Sequence, residues 1–280
     1  MTIEKIIQQA LSEDLGSGDH TSLACIPENH RGKAVMLAKE DGIVAGTNVA
    51  ESVFKQIDPF ITIELYKQDG EKVRNSDKIM QIEGRTQVIL AAERTALNFI
   101  QRMSGIATYT RRITEELKGL NTQILDTRKT TPCLRILEKM AVKAGGGTNH
   151  RFGLYDMIMI KDNHIDFAGG IEPAIQKTQH YLRKNNLSLK IEIETRNFSE
   201  IEQVLSIGGV HRIMLDNFSP DKLREAVKLI DKRFETEASG GITLNTIRRY
   251  AETGVDFISV GALTHQIKSL DISLLAVTDL

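Results

Sequence analysis

The sequence predicts an α/β protein in which a small α+β unit precedes a compact β/α barrel, and three observations lead there. After about residue 120, short apolar runs alternate with amphipathic stretches, an order that favours a parallel sheet with crossover helices. The residues that end successive runs are evenly spaced: Glu194 to Asp216 is 22 residues, Asp216 to Ser239 is 23, and Ser239 to Gly261 is 22. No Gly-x-Gly-x-x-Gly follows a strand, which argues against a dinucleotide-binding sheet. The length of 280 residues fits one large barrel or two domains of ordinary size.

The chain opens with Ile3, Ile6, Ile7, Ala10 and Leu11 at helical spacing, a short amphipathic helix that ends in the loop SEDLGSGDHTS. From Lys33 to about Glu83 the runs AVMLA, GIVAG, ITIEL and KIMQIEG are separated by polar or glycine-containing turns and read as strands. Between Gln87 and Leu117, Ile89, Ala92, Ala96, Phe99, Ile100, Met103 and Ala107 keep a helical stripe past Gly105, a glycine expected to kink the helix or split it in two. Arg94, Asn98 and Arg102 share the polar face of that helix. Six strand candidates follow: TQILDTR, DMIMIKD, LKIEIET, RIMLDN, FETEASGG and DFISVGA. After the first of them, Thr131 reads as an N-cap and Pro132 as the first helical residue. Cys133, Ile136, Leu137, Met140, Ala141 and Ala144 then form one apolar stripe that stops at Gly145.

Hydrophobic residues at 41% and charged residues at 26% exclude wholesale disorder. Lys plus Arg (36) nearly cancels Asp plus Glu (37), so no global field points to nucleic acid or an anionic membrane, and any basic site is local. Cys25 and Cys133 offer neither a disulfide framework nor the paired spacing of a zinc site, which suits a reducing compartment. No apolar run is long enough to span a bilayer, and MTIEKIIQQALSED carries charges where a signal peptide has its apolar core. The cytoplasm is the expected location.

In a β/α barrel the functional face lies at the C-terminal ends of the strands. Those ends carry Asp126, Arg128 and Lys129, then Lys161 and Asp162, Glu192 and Glu194, Asp216 and Asn217, Ser239 to Gly241, and Gly261. Arg128/Lys129 and His150/Arg151 flank one helix and converge only if the loop after it folds back over the barrel mouth; otherwise they pair with surface carboxylates. Lys161 closes the strand Met157-Ile158-Met159-Ile160, where it serves as an anion ligand, a base or a Schiff-base nucleophile, or simply leaves the strand for solvent. His164, three residues on, reads as a loop histidine with a hydrogen-bonded ring. Glu192 and Glu194 alternate with isoleucines and point to the same face, where two like charges need compensation. Either a hard divalent cation shared by Glu194 and Asp216 or salt bridges to the nearby lysines and arginines would supply it. ASGGI and SVGAL place small residues at the last two strand ends, where backbone amides can approach a phosphate. This inventory suits chemistry on a phosphorylated sugar with an acidic co-substrate.

The strings NFIQRMSGIAT, LDTRKTTP, AGGGTNHRFGLYDMIMIKDNHI, EIET, IMLDNFSP, EASGGI and SVGALTH, in this order over nearly the whole chain, resemble the quinolinate phosphoribosyltransferases, a family of type II phosphoribosyltransferases. The resemblance implies an incomplete β/α barrel preceded by an N-terminal α/β sandwich domain. The expected division is 1–108 for the sandwich, 109–268 for the barrel and 269–280 for a segment returning to the first domain. It also implies the family's reaction: quinolinate and phosphoribosyl pyrophosphate give nicotinate mononucleotide, pyrophosphate and carbon dioxide in NAD biosynthesis. Two departures are Cys133, where glycine is expected, and Ala238, where serine is common.

Carried over position by position, the resemblance implies that Arg128, His150, Arg151 and Lys161 surround the two quinolinate carboxylates, with Arg102 entering from a partner subunit. Thr127 and Lys129 belong to the substrate site, Lys129 toward the pyrophosphate, and Ser239, Gly240, Gly241, Gly261 and Ala262 surround the 5-phosphate. Lys129, Lys161, Glu194 and Asp216 are the implied catalytic residues, with Glu194 and Asp216 near Mg2+. Neither pyridoxal phosphate nor thiamine is expected, because a quaternised ring nitrogen can itself hold the electrons left by decarboxylation. A homodimer or a dimer-based oligomer is expected, with no nucleic-acid or membrane partner. The alternatives are a relative that uses nicotinate or another aromatic acid, a lyase with a Schiff base on Lys161, and a non-catalytic scaffold that binds phosphorylated ligands.

Overall fold

The computed structural model describes residues 2–277, so Met1 and the last three residues of the expected C-terminal segment lie outside the described residues. The chain begins with α1 (Ile3–Leu15), α2 (His20–Cys25), β1 (Arg31–Ala38), β2 (Gly42–Ile43), α3 (Thr47–Ile57), β3 (Thr62–Leu65), β4 (Lys72–Val73), β5 (Lys78–Arg85) and α4 (Thr86–Glu116). It continues through β6 (Gln123–Leu125), α5 (Arg135–Ala144), β7 (Ile158–Ile160), α6 (Asp162–Ala168), α7 (Ile171–Lys184), β8 (Ile191–Thr195) and α8 (Phe198–Ile207). The last elements are β9 (Arg212–Asp216), α9 (Pro220–Ile230), β10 (Glu235–Ser239), α10 (Ile247–Ala251), β11 (Phe257–Ser259), α11 (Ala262–His265) and β12 (Ile272–Val277). Two compact units divide them, one formed by Met1–Arg111, Thr130–Gly146 and Leu263–Leu280, the other by Arg112–Lys129 and Gly147–Ala262. No described helix is long and apolar enough to cross a membrane.

In the first unit an antiparallel sheet runs β12-β1-β5-β3, so the C-terminal strand lies beside β1. Met36, Ile79, Met80 and Ile82 of this sheet are fully buried, as are Val53 and Phe54 of α3 and Ile100 and Met103 of α4. Each such side chain contributes about 1.5–3 kcal/mol on leaving water. The α4 helix is unbroken through Gly105, contrary to the expected kink. A Cβ at that position would collide with the Lys268 carbonyl oxygen, so the glycine serves a close backbone approach rather than a break in the helix.

The segment Thr130–Gly146 groups with this first unit, which differs from the expected division at residue 109. Its end is drawn onto α4: Gly145 leaves no room for a Cβ against Thr110 and the Ala107 carbonyl, and Arg111 Nε donates to the Gly145 carbonyl at 3.1 Å. Its start also differs from the expectation. Helix α5 begins at Arg135, with Leu134 at the N-cap, and Thr131 is not a cap. Instead the Thr131 amide donates to Glu138 Oε2 at 3.1 Å.

Cys133 is exposed and lies in the left-handed region at φ 67°, not on a buried helical stripe. That backbone explains why glycine is the expected residue there. Cys133→Gly is expected to raise stability by about 0.5–1 kcal/mol, the left-handed cost less the entropy of a glycine. An upward shift of the urea midpoint checks it, and a downward shift would refute it.

The second unit holds a six-stranded parallel sheet in the order β6-β11-β10-β9-β8-β7. Among the described residues β6 and β7 do not pair, so the barrel stays open at that seam. An isolated parallel bridge, Leu125 to Thr148, brings the chain after α5 back beside β6. One face of the sheet carries Ile191, Ile193, Ile213, Leu215, Ala238 and Ile258, all buried. The alternate positions on the other face are mostly polar, with Glu192, Glu194, Arg212, Asp216, Glu235, Glu237, Ser239 and Ser259 set among Leu125, Met159, Met214 and Phe257. Helices α8 and α9 start cleanly because Asn197 and Ser219 accept amides of their first turns, and Pro220 fits the first helical position.

Candidate active site

The end of β6 turns the expected convergence of the two cationic clusters into geometry. Thr148 donates its amide to the Ile124 carbonyl at 2.8 Å, and wholly buried Asp126 accepts the His150 amide through Oδ1 at 2.8 Å. The chain carrying His150 and Arg151 is thereby tied to the strand that ends in Thr127-Arg128-Lys129. Thr127 Oγ1 accepts the Lys129 amide at 3.0 Å and shapes that turn. Burial pushes the Arg151 guanidinium below its ordinary range, and the charge of Arg128 pushes it further. Two cationic side chains brought to one strand end could serve an anionic ligand.

At the other edge of the sheet, β7, β8 and β9 each have a charged residue at or next to the C-terminal end. Lys161, just after β7, places Nζ 2.9 Å from Glu194 Oε2 on β8. Its backbone N–H donates to His164 Nδ1 at 2.9 Å, so His164 lies in the first turn of α6 with a bonded ring. Asp216 ends β9 and accepts from Asn217 Nδ2. Glu194 and Asp216 lie on the same face of adjacent parallel strands, and their carboxylates are the hard oxygen donors that suit Mg2+. Of the two readings left open for the glutamates, salt bridges are present for both: Glu194 to Lys161, and Glu192 to His150 at 3.0 Å.

The last two strand ends are built for close backbone approach. Gly240 has φ 100° and Gly241 φ 62°, and a Cβ on Gly240 would collide with the Asn217 side chain. A Cβ on Gly241 would meet nothing within 4 Å, so the turn opens onto free space. Ser239 precedes this turn at the end of β10, and Gly261 and Ala262 follow β11 on the adjacent strand. Arg102 belongs to the first unit, where it is well anchored. Its Nε and Nη2 lie 2.9 and 2.5 Å from Glu138 Oε1, and Nη2 also donates to Thr131 Oγ1 at 2.7 Å and the Thr264 carbonyl at 3.3 Å.

Deeper in the sheet, Glu192 and His150 meet Arg212, Glu235 and Glu237, three residues that strand-end reasoning passes over. Glu192 and Glu237 are wholly buried, with His150 Nε2 3.0 and 3.3 Å from one oxygen of each, contacts of charge rather than aligned hydrogen bonds. Arg212 Nη1 is 2.9 Å from Glu237 and Nη2 3.1 Å from Glu235. Burial raises the Glu192 carboxyl and the Glu237 charge raises it further; Glu237 is lowered, because His150, Arg212 and Ser259 outweigh its burial. Burial also disfavours a charged His150, yet the two carboxylates prevail and push its pKa up to about 9. The Arg151 amide donates to Nδ1 at 2.6 Å, which works against that rise and leaves Nε2 as the nitrogen that carries a proton. The Glu235-x-Glu237 alternation was the available signal for this cluster, but the residues lie before the strand ends.

Comparison with known proteins identifies the family. The family models for the N-terminal and C-terminal domains of quinolinate phosphoribosyl transferase match residues 19–104 and 106–275. The chain is 47% identical over 293 aligned residues to the Nicotiana glauca protein named quinolinate phosphoribosyltransferase [decarboxylating] 2, mitochondrial, covering 99% of this chain and 83% of the relative. It is 43% identical to the probable nicotinate-nucleotide pyrophosphorylase [carboxylating] of Bacillus subtilis, covering 98% and 93%. The crystal structure of NadC from Streptococcus pyogenes superposes with a TM-score of 0.93 at 38% identity, covering 99% of this chain and 97% of that one. With both domain models matched in order and relatives aligned almost end to end, the chain belongs to the quinolinate phosphoribosyltransferase family.

Proposed function

We infer that this chain joins quinolinate to phosphoribosyl pyrophosphate, giving nicotinate mononucleotide, pyrophosphate and carbon dioxide in NAD biosynthesis. The observation that carries the reading is Arg151, on the chain that Asp126 ties beside Thr127-Arg128-Lys129, reaching Met157 and Met159 next to Lys161, with two carboxylates on the strands that follow β7 in the sheet. Quinolinate is a diacid on a small ring, and desolvating two carboxylates requires several cations. Arg128, Arg151 and Lys161 are proposed to receive them, with His150 set behind Arg151, because its two ring nitrogens already face Glu192, Glu237 and the Arg151 amide, and with Arg102 supplied by a partner subunit. Thr127 belongs to the substrate site, Lys129 lies toward the pyrophosphate, and the backbone amides of Ser239, Gly240, Gly241, Gly261 and Ala262 take the 5-phosphate.

Glu194 and Asp216 would hold Mg2+, which when bound neutralises charge on the pyrophosphate leaving group. The same two carboxylates favour the positive charge that develops on the anomeric carbon as its bond to pyrophosphate breaks. The quinolinate ring nitrogen then supplies the electron pair for the new bond. Once quaternised, the ring accepts the pair released when the adjacent carboxylate departs as carbon dioxide, and a proton replaces it at that carbon. Lys161 is the proposed donor of that proton. A dimer that shares its sites is the proposed assembly, and the cytoplasm the proposed location, in keeping with two free cysteines.

Incubation of the purified chain with quinolinate, phosphoribosyl pyrophosphate and Mg2+ is expected to yield nicotinate mononucleotide and carbon dioxide in equal amounts. Nicotinate as the parallel substrate is expected to give nothing. Turnover of nicotinate instead would move the assignment to an enzyme for the monoacid, and no product from either would refute the reading.

A further inference from the structure

The sheet face that carries Glu194 continues inward to Glu192, Glu237, Arg212 and His150, and the proposed function places only the last of these, behind Arg151. Enclosing such charges is costly unless each is met by another, and here the meeting is close. Arg212 Nη1 lies 2.9 Å from Glu237 and 4.0 Å from Glu192, while its guanidinium stacks 4.0 Å over the Phe257 ring. Ser259, at the end of β11, adds a hydrogen bond that favours the Glu237 carboxylate.

His150, Glu192 and Glu237 are grouped closely enough to hold a metal ion. Two observations speak against that use. Nδ1 of His150 accepts the Arg151 amide, so Nε2 carries a proton and has no lone pair for a metal. Arg212 already supplies the cation between the two carboxylates. What remains for the cluster is orientation. The His150 ring is joined through Nε2 to buried charge and through Nδ1 to the backbone of Arg151, while its own amide is held by Asp126.

We propose that Glu237, itself held by Arg212, is a positioning residue that fixes the His150 ring and, through that ring, the Arg151 backbone that presents its guanidinium to the quinolinate carboxylates. This rests on the proposed function and assigns that site a buried support. Acting through His150 and Arg151, Glu237 bears on the quinolinate side of the proposed site.

The test compares full-length Glu237→Gln and Glu237→Asp with Glu235→Gln. Glu235 is the more exposed partner of Arg212 and does not touch His150, so its replacement controls for a general loss of charge. Glu237→Gln is expected to raise the KM for quinolinate about 10- to 100-fold, the usual scale when a residue that orients a ligand-binding side chain is lost. The KM for phosphoribosyl pyrophosphate and both constants of Glu235→Gln stay unchanged. Quinolinate affinity by titration calorimetry falls in parallel, which supplies a readout independent of turnover. If Glu237→Gln does not fold, Glu237→Asp decides, since it keeps the negative charge but draws the oxygen that faces both His150 and Arg212 back by one methylene. An unaltered quinolinate KM in either folded variant, an equal rise in both KM values, or failure of both variants to fold would overturn the positioning role. A wild-type chain that binds quinolinate but forms no product would overturn the proposed reaction and leave the binding test standing.

Discussion

Arg151→Ala is expected to lower kcat/KM for quinolinate about 30- to several thousand-fold, the consequence of losing about 2–5 kcal/mol when one member of a desolvated charge pair is removed. In the free protein this guanidinium is partly buried, and burial and the charge of Arg128 make its charged state costly, an effect that Glu192 and Asp156 offset only in part. Its other polar contacts are weak acceptors, the Met157 carbonyl at 3.3 Å and the Met159 sulfur at 3.5 Å. A dianionic ligand removes that cost, so binding draws on repulsion already present. The same reasoning fixes what happens to stability. Removing Arg151 relieves the repulsion with Arg128, so the variant should melt no lower than wild type even as activity collapses. Arg151→Lys keeps the charge but loses the planar fork, and should fall between the two. Steady-state kinetics beside thermal melts check this. Loss of activity that only tracks a falling Tm, or an unchanged kcat/KM, would remove Arg151 from the substrate site.

The sheet of the second unit was legible because its strands are apolar on the helix-packed face and end in charge. Ile191, Ile193, Ile213 and Leu215 mark the runs, and Glu194 and Asp216 mark where they stop. All six runs became strands in one parallel sheet. Helix α3 was less legible. Its apolar stripe of Val49, Ala50, Val53 and Phe54 is short and sits between strands, so the α+β reading of the region placed the strand runs and not this helix. Gly105 and Cys133 were misread for a shared reason. Local propensity makes a glycine a break and a cysteine in an apolar stripe a core residue. The Lys268 carbonyl packed on one and the positive φ of the other are set by tertiary structure. The site shows the same boundary. Residues at strand ends follow from barrel logic, whereas Arg212 and Glu237 become partners only once the register places Arg212 opposite Glu192 and Glu235.

Mixing Arg102→Ala chains with Lys161→Ala chains, each inactive alone, is expected to restore about a quarter of wild-type activity if the sites of a two-fold dimer are shared. Random exchange makes half of the dimers hybrids, and each hybrid has one site with both residues intact and one with neither. Arg102 is suited to act as a fixed donor. Glu138, only 1% exposed, takes Nε and Nη2 on one oxygen and the Thr131 amide on the other. That carboxylate sets the direction of the guanidinium and anchors the segment after Lys129 in the same contact. Lys161 sits in the other unit, bonded to Glu194, so the two substitutions disable separate parts of the chain without a common partner. The mixture separates two arrangements that single variants cannot. If Arg102 served the site of its own chain, every Arg102→Ala chain would be dead in any dimer, every Lys161→Ala chain likewise, and mixing would restore nothing. Subunit exchange is verified by native mass spectrometry of one labelled partner, so a null result with hybrids present refutes the shared site, whereas recovery near a quarter assigns Arg102 to the partner's substrate.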